Sequence, residues 1–110
     1  MTVKELSEKL NLAVAAGENG LTNKISGCYI GDLLSLAMNR VAKGNVWITI
    51  QTNVNVIAVS VLTDGACVIL CDGQEPDGQT AAKADLEDIP ILLSEKSAYE
   101  LAKELAELGV

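Results

Sequence analysis

Three runs, Val46-Trp47-Ile48-Thr49-Ile50, Ala66-Cys67-Val68-Ile69-Leu70-Cys71 and Ile89-Pro90-Ile91-Leu92-Leu93, decide the fold of this chain. They begin about 20 residues apart, the spacing that a strand, helix, strand crossover requires. The middle run has no polar residue, as expected of a strand covered on both faces. Between the first two runs, Asn53 to Leu62 is rich in valine, which favours a strand, yet strict alternation fails at Ile57 and Ser60. Val54, Ile57, Ala58, Val61 and Leu62 instead fall at i, i+3, i+4, i+7 and i+8, so the segment is predicted to be a buried helix stopped at Asp64-Gly65. A strand there would leave parallel neighbours without a crossover. After the middle run comes a polar loop, Asp72 to Asp77, in which Pro76 fits the first turn of an alanine-rich surface helix reaching about Asp88. The expected class is α/β, a small and mostly parallel sheet with helices on both faces.

Outward from this βαβαβα core, Ser97 and Glu100 form a capping-box pattern for a last helix. Its buried stripe would be Ala98, Leu101, Ala102, Leu105 and Leu108, with Gly109 ending it. On the other side, Thr2 and Glu5 cap a first helix that runs to about Leu10, with Val3, Leu6 and Leu10 on one face. Leu12 to Ala16 and Ile25 to Ile30 read as two short strands joined by a loop that holds the glycine-bracketed turn Gly17-Glu18-Asn19-Gly20. Asp32 is expected to cap a short helix in which Leu33, Leu34, Ala37, Met38 and Val41 share a face, with Gly44 placed to end it.

The 110 residues fit a single domain, 1–110, and 49% apolar content with a mean hydropathy of +0.28 excludes a disordered chain. A net charge of −7, with no run of Lys or Arg, argues against nucleic acid and anionic membrane as partners, because both need a basic face. No apolar stretch reaches the ~18 residues of a membrane span, and the N-terminus lacks the order of a signal peptide, so the expected compartment is the cytoplasm. Three cysteines, Cys28, Cys67 and Cys71, are an odd number that fits free thiols better than disulfides.

Cys71-Asp72-Gly73-Gln74-Glu75-Pro76, a helix, Ile89-Pro90-Ile91-Leu92-Leu93-Ser94 and the Ser97-capped helix together resemble the layout of the DRTGG domain. That family is similar to the N-terminal domain of HPr kinase/phosphorylase. Val46 to Thr52 resembles its strand ending in Ile-Thr, and Leu21 to Gly27 resembles its "leucine, aspartate, arginine … thr-gly" segment, with Asn23 and Lys24 in place of the acid and the arginine. The resemblance implies a regulatory or dimer-forming module, met as an accessory domain of kinases and some pyrophosphatases and as a free-standing short protein.

The chemistry is defined by what the sequence omits. With no histidine, imidazole acid/base catalysis, histidine metal ligation and Ser-His or Cys-His nucleophile pairs have no residues to run on. No phosphate loop occurs, since Gly73-Gln74-Glu75-Pro76-Asp77-Gly78-Gln79-Thr80 has no lysine and two acids where phosphate would sit. Cys67 and Cys71, four apart on one strand, would lie ~13 Å apart, too far to share a zinc ion. The expectation is therefore no catalytic residue, no metal and no cofactor.

Polar residues do gather beyond the carboxyl ends of the predicted strands: Gln51, Thr52, Asn53, Asp72, Gly73, Ser94 and Ser97. Parallel α/β sheets bind ligands at that edge, where helix N-termini also receive anions, although Asn53 and Ser97 are equally expected as helix caps and Asp72-Gly73 as a turn. Leu33, Leu34 and Met38 mark a stripe too wide for one core contact, which points to a homodimer unless the N-terminal elements cover it. Two functions follow: a non-catalytic regulatory module that self-associates and binds a partner protein, or a sensor of a nucleotide or other anion built on the strand-end loops.

Overall fold

The computed structural model describes residues 1–110. In chain order it contains α1 (Val3–Lys9), β1 (Ala13–Ala16), a 3-10 turn (Glu18–Gly20), β2 (Gly27–Ile30), α2 (Leu34–Arg40), β3 (Asn45–Thr49), α3 (Asn55–Leu62), β4 (Cys67–Leu70), α4 (Gly78–Glu87), β5 (Ile91–Leu93) and α5 (Ala98–Glu107). The five strands form one sheet in the order β1-β5-β4-β3-β2, parallel from β2 through β5, with β1 antiparallel to β5 at the edge. The α/β class and the parallel core read from the three apolar runs are present.

Alternation along the strands divides the core into two layers. Val46, Ile48, Cys67, Ile69 and Leu92 face α1 and α5, where Val3, Leu6, Leu101 and Leu105 complete a buried cluster. Trp47, Val68, Leu70 and Ile91 face α2, α3 and α4, packing on Ala37, Val41, Val56, Ile57, Val59 and Ala84. Both capping boxes form: Thr2 with Glu5 at α1, and Ser97 with Glu100 at α5.

The two short early strands do not meet. β1 lies beside β5 and β2 at the far edge beside β3. The glycine-bracketed turn fixes this: a Cβ on Gly17 would fall 2.0 Å from the Ile89 carbonyl oxygen, and one on Gly20 2.0 Å from that of Asp88. Only glycine allows the turn to close on the chain between α4 and β5, and the Gly17 amide donates to Asp85 Oδ1 at 2.7 Å there.

Four local expectations are corrected. Asp32 does not cap α2, whose N-cap is Leu33 without a side-chain hydrogen bond; the Asp32 carboxylate reaches β3 instead. α2 also ends at Arg40, before Gly44, which has φ +79° and packs against Ser26. Pro76 stands outside α4, which is capped by Asp77 accepting from the Thr80 amide. The buried face of α3 is Val56, Ile57, Val59 and Ser60, while Ala58, Val61 and Leu62 are exposed, roughly two-fifths of a turn from the expected stripe. An apolar residue lies on every side of this helix, so periodicity does not choose its face.

Candidate functional site

The carboxyl edge of the parallel strands carries two distinct polar groups. Beyond β3, Asp32 Oδ1 accepts from the Thr49 hydroxyl at 2.9 Å and from the Ile50 amide at 3.0 Å. Gln51 Nε2 donates to the Asp32 carbonyl, the Gln51 amide to Thr49 Oγ1, and Asn53 Nδ2 to Gln51 Oε1. Asn53 also turns its side-chain oxygen onto the Asn55 amide, opening α3. These groups satisfy one another, so Gln51 and Asn53 hold the strand end together and Thr52 rides on that loop.

The second group lies where the connections diverge. The chain leaving β4 enters α4 on one face of the sheet, and the chain leaving β5 enters α5 on the other. Such a divergence between neighbouring parallel strands opens a crevice at their carboxyl ends. Here the crevice has a volume of about 560 Å³, within the range of small-molecule sites. Gly73, Gln74 and Glu75 form one wall, Ser94, Glu95 and Lys96 the second, and Leu10 with Asn11, brought in by β1, the third.

Backbone hydrogen bonds tie the first two walls: the Asp72 amide to the Lys96 carbonyl and the Gly73 amide to the Ser94 carbonyl, both at 2.9 Å. Gly73 has φ +73°, and the Glu95 carboxylate lies so close that a Cβ there would meet Oε2 at 2.7 Å. Of the residues singled out from sequence, Gly73 and Ser94 line the crevice, Asp72 braces it, Ser97 caps α5, and Gln51, Thr52 and Asn53 belong to the β3 end. Leu10, Asn11, Glu75 and Glu95 line it as well, without a signal in the sequence that marks them for the site. The pairing of β1 with β5 that brings Leu10 and Asn11 in has no sequence signal beyond the tight Gly17-Gly20 turn.

Neither thiol at the ends of β4 is activated. Burial drives the Cys67 thiol far up, and burial with the Asp72 carboxylate pushes Cys71 up to about 11, so both stay protonated at neutral pH. Among all residues, no three His, Cys, Asp or Glu side chains group as a metal site.

A model of the DRTGG domain matches residues 5–108. The chain belongs to the DRTGG domain family. Its fold is similar to that of the regulatory region, CBS and DRTGG domains, of Clostridium perfringens pyrophosphatase, solved with the activator diadenosine tetraphosphate. The likeness has a TM-score of 0.73 at 10% identity and covers 93% of this chain and 44% of that one. This chain therefore spans less than half the length of the pyrophosphatase regulatory region. No curated protein matches it.

This DRTGG domain also leaves an apolar edge uncovered. Leu33 is 64% exposed and Met38 46%, with Ile30, Leu36 and Ile50 also in solvent, while Leu34 packs partly against the core. Asp32, bonded to the Ile50 amide, holds Leu33 and Ile50 near each other at this edge. No helix is long and apolar enough to cross a membrane.

Proposed function

We propose that this DRTGG domain is a non-catalytic regulatory module that self-associates through the edge formed by β2 and α2 and acts on a partner protein. One observation carries the reading: five of the nine exposed large apolar residues, Ile30, Leu33, Leu36, Met38 and Ile50, fall within a stretch that escapes the chain's negative charge. Residues 24–50 hold three cations, Lys24, Arg40 and Lys43, against the single acid Asp32, whereas the whole chain stands at −7. Two copies meeting here keep their remaining acids apart, which an acidic protein needs if it is to pair. A two-fold contact of ~800 Å² per subunit suffices for a stable dimer. β2 adds an unpaired strand edge that a second copy can use.

The protonated cysteines, the absence of histidine and the lack of a phosphate loop support a role without catalysis. Sedimentation equilibrium at micromolar concentration tests self-association, and a single species at 11.5 kDa would end the proposal. A small-molecule sensor, for a nucleotide, another anion or a different ligand, is the second reading. The crevice between the ends of β4 and β5 is the observation that favours it.

A further inference from the structure

The free edge of β2 also sets how two copies meet, an inference that rests on the self-association reading and names its geometry. β2 runs parallel to β3 with Gly27 beside Asn45 and Tyr29 beside Trp47, and the Gly31 amide donates to the Ile48 carbonyl at 3.2 Å. Main-chain groups alternate sides along a strand, so those of Gly27, Tyr29 and Gly31 turn toward β3, while the N–H and C=O of Cys28 and Ile30 turn away from the sheet. No turn, loop or cap of the chain bonds to these groups. β2 has no charge, proline or bulge, the features that keep an edge strand from pairing. The opposite edge is guarded, since β1 bulges between Val14 and Ala16 and α4 packs beside it.

A strand that pairs edge to edge with its own copy across a two-fold axis runs antiparallel, and the residue at its centre decides which groups meet. Centring on Cys28 or Ile30 pairs that residue with itself and sends the other toward Ser26, whose amide is bonded to the Gly44 carbonyl, or toward the charged Asp32. Centring on Tyr29 instead sets Cys28 of each copy opposite Ile30 of the other as hydrogen-bonded pairs, about four bonds in all, with Cα atoms ~5.5 Å apart. The same register covers the side chains of Cys28 and Ile30, both exposed in the single chain. The occupant is a second copy, since this edge complements itself and residues 24–50 hold Lys24, Arg40 and Lys43 against the single acid Asp32. We infer that two copies join β2 to β2 about Tyr29 into one continuous sheet.

The test is amide hydrogen exchange followed by NMR on the purified full chain and on Leu33→Glu, with sedimentation equilibrium of both at the same concentration. The Cys28 and Ile30 amides should exchange at least tenfold more slowly in the native chain than in Leu33→Glu, while the Tyr29 and Gly31 amides, turned toward β3, should exchange alike in both. In a mixture of isotope-labelled and unlabelled native chains, a filtered NOE should connect Cys28 of one copy to Ile30 of the other. A native dimer whose Cys28 and Ile30 amides exchange as fast as those of Leu33→Glu would overturn the strand pairing and leave self-association standing. A filtered NOE from Cys28 to Cys28, or none between Cys28 and Ile30, would overturn the register. A native chain that sediments as a monomer would end both readings.

Discussion

The Asp32 carboxylate stands 2.9 Å from the Thr49 hydroxyl and 3.0 Å from the Ile50 amide, so the residue that precedes α2 is fastened to the neighbouring strand rather than to its own helix. Thr49 is 1% exposed and depends on this acceptor. Asp32→Ala should cost about 2 kcal/mol, because it removes a charged acceptor from a buried hydroxyl and a strand-end amide. Asp32→Asn, which keeps one acceptor oxygen, should recover part of the loss. Urea unfolding followed by circular dichroism measures both, and an alanine variant as stable as the native chain would contradict the role given to Asp32.

Trp47 lies 1% exposed against the layer of α2, α3 and α4, and its indole N–H donates to the Gly31 carbonyl at 2.9 Å. Trp47→Ala should destabilise by about 3–5 kcal/mol through the cavity it leaves. The native emission should be that of a buried indole and should resist quenching by iodide. Ready quenching would place the indole in solvent.

Cys28 is exposed, yet desolvation pushes its thiol up to about 11. Alkylation by iodoacetamide should therefore be slow at pH 7 and rise about tenfold per pH unit toward that value, since only the thiolate reacts. Mass spectrometry should find Cys28 labelled before Cys67 and Cys71, which are buried. Rapid labelling of Cys28 that levels off by pH 8 would refute the raised value.

The Thr80 amide at the head of α4 lowers the Asp77 pKa from its ordinary 3.8. A depressed carboxylate contributes stability above its unfolded value and loses it as pH falls through the folded one. Asp77→Asn should thus be less stable than the native chain at pH 5, and the gap should close as pH drops below 3.8. Urea midpoints between pH 5 and pH 2 follow this gap, and one that widens on acidification would reverse the sign.

Sequence carried the layer architecture because its signals are local and redundant. β4 is apolar at every position, and both capping boxes set a helix start by side-chain chemistry within four residues. What it could not carry depends on contacts far along the chain. Asp32 reads as a cap because a cap is the nearest use for an aspartate, but its partners lie 17 and 18 residues on. The face of α3 was illegible because valine and isoleucine surround the helix, and packing against β3 and β4 chose Val56, Ile57 and Val59. In the sequence the strand-end polar residues form one group, yet Gln51 and Asn53 are consumed in bracing β3, while Gly73 and Ser94 open onto the crevice. Leu10 and Asn11 join them only because β1 crosses to the side of β5.

Self-association through the β2–α2 edge is tested most directly by sedimentation equilibrium on three chains at one micromolar-range concentration: native, Leu33→Glu and Leu86→Glu. Leu33 lies on the proposed edge and Leu86, 75% exposed on α4, lies away from it, so both changes add the same charge at exposed leucines. The account predicts a dimer for the native chain and for Leu86→Glu, and a monomer for Leu33→Glu with an unchanged circular dichroism spectrum. A native monomer, or a dimer that survives Leu33→Glu, would contradict it.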